Sequence, residues 1–169
     1  NLNAAELLFS GQKKVKNRHL RGIYLSAARS YLFNRYLSER LALGNWDRRL
    51  SGDVYMLDGT HSLYKDDQWQ GGDEQRLVDL QIHPTGPLFG RGASLAVDES
   101  LALESRIAEL WGDGIVGLEE AGLKQDRRAL RVIPQNISCI FVDGNAVISF
   151  DLPAGCFATS VLRELVHYS

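Results

Sequence analysis

Between Ile23 and Leu43 the apolar residues recur at helical spacing. Leu25, Ala28, Leu32 and Tyr36, flanked by Phe33 and Leu37, fall on one stripe of a 3.6-residue period. The pattern predicts a long helix over residues 23–43, with Gly44 as its stop. Arg29 falls at the edge of the stripe. Residues 1–9 read as a short helix, and the basic segment GQKKVKNRHLRG reads as the loop joining the two. Downstream the period changes to two. VYML and HSLYK flank Asp58-Gly59, and SCIFVDGNAVISFDLP folds back around Asp143-Gly144; both are hairpin signals. LVDLQIH alternates and reads as a strand, as does RRALRVIP. DQWQGGDEQ is a polar loop. HPTGPLFGRG, residues 83–92, holds two prolines and three glycines and is expected to be an irregular loop of defined shape. Asp98 is placed to cap a helix over 99–111, with Leu103, Ile107, Leu110 and Trp111 on one face. IVGLEEAG is a helical turn, and FATSVLRELVHY a C-terminal helix of about three turns. The sum is an α+β fold with mainly antiparallel strands.

Composition adds bounds. The chain of 169 residues is 44% apolar and 24% charged, enough to bury a core within one domain, or one domain plus part of another. No run of about 18 apolar residues is present, so no membrane helix is expected. Charges follow the apolar residues at the N-terminus, the wrong order for a secretory signal. Two cysteines, Cys139 and Cys156, lack metal-ligand spacing, which fits a reduced, cytoplasmic setting. The charge is unevenly spread. Residues 1–40 hold eight Lys and Arg (Lys13, Lys14, Lys16, Arg18, Arg21, Arg29, Arg35, Arg40) against Glu6 and Glu39, and the remaining residues are net acidic. A basic end of this kind faces a polyanion or is simply solvated.

Several patterns bear on chemistry. Cys156 precedes a helix, where a thiol is activated, but His167 as its base would lie more than about 10 Å along that helix. The four histidines show no paired ligand spacing, and neither a nucleophile-elbow nor a P-loop pattern occurs. Asp66-Asp67 and Glu119-Glu120 read as solvated faces. His83 and Arg91, at the edges of HPTGPLFGRG, are ligand candidates or parts of a packed loop. Arg127, Arg128 and Arg131 cluster in LKQDRRALR; such a group suits phosphate contact, or ion pairing with local acids such as Asp126. Arg163 sits among apolar neighbours, and a partly buried arginine requires an acid from another segment.

Together HPTGPLFGRG, GLKQDRRALR, FDLPAGCFATSVLREL and the helix LSAARSYLFNRYLSER resemble the TruD family of tRNA pseudouridine synthases, in order and along essentially the whole chain. The resemblance implies a uridine isomerase that detaches uracil, rotates it and rejoins it through carbon 5, at position 13 of tRNA, with no cofactor and no metal. It implies a TruD-type insertion domain over residues 1–145, approximately, and a strand and helix of the catalytic domain over 146–169. Arg163 is then the support of the catalytic aspartate and Phe157 a lining residue of the uracil pocket. Lys13, Lys14, Lys16, Arg18 and Arg21, with Arg127 and Arg128, are the expected RNA contacts.

The family's aspartate motif, resembling F-x-G-x-K-D-x-x-A, is not in this chain, nor are its N-x-F and N-Y-F-G-x-Q-R-F-G motifs. The expectation is a C-terminal half, inactive alone, whose partners are tRNA and the N-terminal half, with self-association through an exposed C-terminal strand as a further consequence. The alternative is a non-catalytic RNA-binding module or a vestigial truncated relative. No membrane partner is expected.

Overall fold

The computed structural model describes residues 1–165; His167 therefore lies outside the described residues. The chain divides into two compact units, Asn1–Leu130 and Arg131–Ser169. This division falls earlier than residue 145 and keeps both strands of the C-terminal hairpin together.

In the first unit, α1 (Leu2–Phe9) is followed by a loop and by α2 (Arg18–Ala42). The long helix begins five residues before the expected start at residue 23. Asn17 is the reason: its side chain accepts from the backbone N–H of Leu20 at 3.0 Å, which satisfies a donor that the first turn would otherwise leave open. Arg18 and Arg21 are thus helical rather than part of a loop. At the other end Gly44 N–H donates to Leu41 O and Asn45 N–H to Arg40 O, a Schellman closure. The buried face of α2 is Tyr24, Leu25, Ala28, Leu32, Phe33, Tyr36 and Arg40, which contains the expected stripe.

Four antiparallel strands follow in the order β2-β1-β3-β4: β1 (Val54–Leu57), β2 (Leu63–Lys65), β3 (Ile82–Leu88) and β4 (Asp126–Ala129). The hairpin at Asp58-Gly59 is present, closed by a five-residue loop. Two expectations fail here. LVDLQIH is a strand only in its last two residues: Leu77 and Val78 end α3 (Asp73–Val78), Leu80 turns the chain at φ 62°, and Ile82 and His83 open β3. HPTGPLFGRG is not irregular: its first six residues lie in β3, a fully buried central strand.

The prolines are tolerated because β3 changes neighbours along its length. β1 pairs with residues 82–84 and β4 with residues 85–88. Pro84 O accepts from Leu130 N–H, so the peptide at 84 faces the β4 side, outside the residues β4 pairs. Pro87, three residues on, faces the β1 side, outside the residues β1 pairs. Pro84 keeps only its carbonyl half of the exchange with Leu130, one residue beyond the paired stretch, and Pro87 lies beyond the residues β1 pairs, so each missing donor falls past the end of a ladder rather than inside it. Between them Gly86 lets α2 approach: a Cβ there would meet Tyr36 Cδ1 at 2.9 Å and Phe33 at 3.1 Å.

Next come α4 (Asp98–Glu109) and α5 (Gly112–Glu120). Asp98 does not cap α4. Val97 occupies the cap position without a side-chain bond, while Asp98 accepts from the Ser51 hydroxyl at 3.4 Å. Leu103 and Ile107 are buried as expected, whereas Leu110 is exposed. They join a core with Ala5, Leu32, Phe33, Tyr36, Leu88 and Leu118.

The second unit is a hairpin of β5 (Gln135–Val142) and β6 (Asn145–Asp151), then α6 (Ala158–Leu165). Val142 pairs with Asn145 across a two-residue turn in which Asp143 has φ 50° and Gly144 φ 80°, the geometry that Asp-Gly favours.

Candidate nucleic-acid interface

The basic residues of the first unit fall into two groups, sorted by whether a carboxylate meets them. Arg40, Arg49, Arg76 and Arg127 are paired with Asp53, Asp66, Asp73 and Glu104 at 2.6 to 2.8 Å. Lys14, Lys16, Arg18 and Arg21 are exposed, and among the described residues no ion pair reaches them. They sit on the loop after α1 and on the first turns of α2. Lys13 differs from its neighbours. Its Nζ donates to Tyr24 Oη at 3.4 Å and lies 4.9 Å from that ring's centroid, so part of its charge is spent within the fold.

The arginine cluster of LKQDRRALR is split by strand alternation. Arg128 is exposed, with its guanidinium 5.1 Å from the centre of the Phe33 ring. Arg127 points inward. Nε donates to the Thr85 hydroxyl, Nη2 donates to Thr85 O at 3.0 Å, and Nη2 pairs with Glu104 at 2.8 Å with both side chains 2% exposed. The expected RNA contact at Arg127 therefore gives way to a buried ion pair that ties β4 to β3 and α4. Consecutive strand residues face opposite ways, and that period was the available signal.

Arg29 is where the stripe placed it, at the edge of the buried face. Its Nη2 donates to Leu88 O at 2.8 Å and to Lys124 O at 3.1 Å, joining the end of β3 to the segment before β4. Burial lowers its pKa; the Asp126 charge opposes that and the like charge of Arg128 adds to it. The sequence signalled its position but not this role.

His83 and Arg91 are engaged internally. His83 is buried with Nε2 2.9 Å from Asp58 Oδ1, and Arg91 Nε donates to Glu119 O. No group of His, Cys, Asp and Glu able to hold a metal occurs among the described residues. Among the same residues no helix is long and apolar enough to cross a membrane.

In the second unit both cysteines are exposed and unpaired with each other. Arg163 is exposed rather than partly buried, and among the described residues no acid meets it. Phe157 is 74% exposed. Ile140, Phe141 and Val142, consecutive on β5, are also exposed, so both faces of the hairpin present apolar side chains. A two-stranded hairpin is marginal alone in water and gains stability when covered.

The family described as tRNA pseudouridine synthase D (TruD) matches residues 10–165. The tRNA pseudouridine synthase D of Hydrogenovibrio crunogenus is 42% identical over 166 residues, covering 98% of this chain and 48% of the relative. That of Nitrosococcus oceani is 43% identical over 171 residues, covering 98% and 47%. The chain spans about half the length of the curated relatives it matches. A crystal structure of a Methanosarcina mazei protein assigned to the same enzyme superposes with a TM-score of 0.66 at 23% identity, over 88% of this chain and 38% of that one; this likeness concerns the fold.

Proposed function

The chain belongs to the tRNA pseudouridine synthase D (TruD) family, and from that premise we propose that it is the tRNA-contacting and active-site-supporting part of such a synthase. The observation that carries the reading is the set of exposed cations without acidic partners, Lys14, Lys16, Arg18 and Arg21. Exposed cations with no carboxylate to neutralise them form a positive patch suited to a polyanion, and for a tRNA-modifying family that polyanion is the tRNA backbone. Phosphate contacts fix the register of an RNA without reading its sequence, and that is what a uridine needs before it leaves the stack to react.

In this reading the first unit, Asn1–Leu130, belongs to the insertion domain, and the hairpin and helix of the second unit belong to the catalytic domain. The exposed apolar residues of the hairpin and Phe157 are covered by the N-terminal half of the synthase. Arg163 is then available to the catalytic aspartate. A guanidinium beside that carboxylate keeps it ionised at neutral pH, the state in which it attacks. The substrate is the uridine at position 13 of tRNA, isomerised without cofactor or metal.

The test is the salt dependence of tRNA binding by the wild type and by a variant with Gln at 14, 16, 18 and 21. Each phosphate contact removed should flatten the slope of log affinity against log salt by about 0.7–0.9. A slope unchanged by all four substitutions would refute the footprint.

A further inference from the structure

Two cavities in the first unit differ in sign. The larger, of about 530 Å³, lies between α1 and α5 and carries Glu6, Asp113 and Glu120, which repel phosphate. The smaller, of about 160 Å³, lies where α2 meets the end of β3 and the start of β4. Its apolar lining is Leu25, Leu88 and Leu123; its polar lining is Ser26, Arg29 and Arg128. Gly22 forms part of the wall, with nothing within 4 Å of where its Cβ would be.

We propose that this smaller pocket receives one unstacked pyrimidine nucleotide of the bound RNA, its base on the Leu25–Leu88–Leu123 floor and its phosphate at Arg29 and Arg128. The inference rests on the RNA-contact reading above and adds a place that holds a base.

Four features carry it. The volume suits one aromatic ring, since an apolar cavity of about 150 Å³ accommodates benzene. The pocket holds two guanidiniums with one carboxylate, Asp126, acting on Arg29, a local excess of positive charge that favours an anion. Arg29 Nε is buried without a hydrogen-bond partner, although Nη2 of the same group is doubly used. Finally, Arg18, Gly22, Ser26 and Arg29 lie along one face of α2 at spacings of three and four, so a backbone held at the exposed Arg18 runs towards the pocket. A base resting on apolar side chains beside a guanidinium is the sequence-tolerant mode by which single-stranded RNA is held.

The test is Gly22→Leu, with Gly22→Ala as control, in the full chain. Both replace a glycine inside a helix by a better helix former and have open space for the new Cβ, so folding is retained, and a melting curve verifies this. Binding of tRNA is read by fluorescence anisotropy across a salt series. Gly22→Leu should weaken binding about 10-fold, the scale of one lost base contact, with the salt slope unchanged because no charge is removed. Gly22→Ala should stay within about twofold of the wild type. Equal tRNA affinity for Gly22→Leu and wild type would overturn the inference. Loss of uridine monophosphate binding with tRNA binding intact would also overturn it, by making the pocket a free-nucleotide site. A wild-type chain with no affinity for tRNA would overturn the RNA-contact reading itself.

Discussion

Asp53→Asn should unfold the first unit at a much lower temperature. Arg40 reaches Asp53 with two donors, at 2.8 and 3.0 Å, and both side chains are fully buried. Burial pulls the Arg40 pKa down, but the bond to Asp53 and its charge push harder the other way, so the guanidinium is held charged. The same carboxylate accepts the Leu50 N–H at 3.0 Å, which shapes the turn into β1. Asparagine keeps the shape, removes the charge and turns one acceptor into a donor facing Arg40. Stranding a buried charge in this way costs about 3–5 kcal/mol. For a unit of this size that is a fall in Tm on the order of 10–20 °C. Circular dichroism melts and urea titrations of the variant measure it, the midpoint falling at constant m. The double variant Arg40→Met with Asp53→Leu should be less destabilised than Asp53→Asn, since no charge is left unpaired. It should not equal the wild type, because Asn45 O and Arg48 O lose the Arg40 donors. A loss below about 1 kcal/mol for Asp53→Asn would show that the pair is not a buried charge pair, and the reasoning would fall.

Two further outcomes are expected. Asp66 and Asp73 both titrate below the usual carboxylate range: burial raises Asp66, but the Arg49 bonds and the Gly52 N–H more than reverse it, while the Gln70 N–H and Arg76 lower Asp73. A depressed folded pKa gives stability that is present above about pH 4 and lost as pH falls through the folded values, so Tm should drop from pH 5 to pH 2.5, and Asp73→Asn should reduce that drop; equal drops would exclude a contribution from Asp73. In a full-length synthase carrying this segment, Arg163→Met should cut turnover by about 100-fold or more while tRNA affinity holds, and unchanged turnover would remove Arg163 from the active site.

The elements that could be read from sequence are those whose local pattern agrees with the fold. The α2 stripe and the Asp143-Gly144 turn carry their own signals, one in apolar spacing and the other in positive φ. The start of α2 was hidden because a single cap, Asn17, extends the helix beyond its apolar face through residues chosen for charge. HPTGPLFGRG was misleading because proline excludes a strand only where its N–H is needed, and need depends on which neighbours pair where. LVDLQIH alternates by coincidence across a helix end. Among the candidate site residues, the exposed cations at 14, 16, 18 and 21 were legible in charge alone. The opposite fates of Arg127 and Arg128 required strand polarity, and the exposure of Arg163 follows from a second unit in which α6 has no buried residue.

The two prolines of β3 also act as an alignment key. If the strand slid by one residue, its side chains would exchange faces, and each ring would turn towards the neighbour whose carbonyl then lacks a donor. Every buried carbonyl so stranded would cost about 1–3 kcal/mol. Alternative alignments are thus rejected by groups the chain does not possess rather than by contacts it makes. Gly86, between the prolines, consequently has one possible place, beneath Tyr36 and Phe33. The long helix resting there inherits that certainty, and with it the position of every cation at its far end.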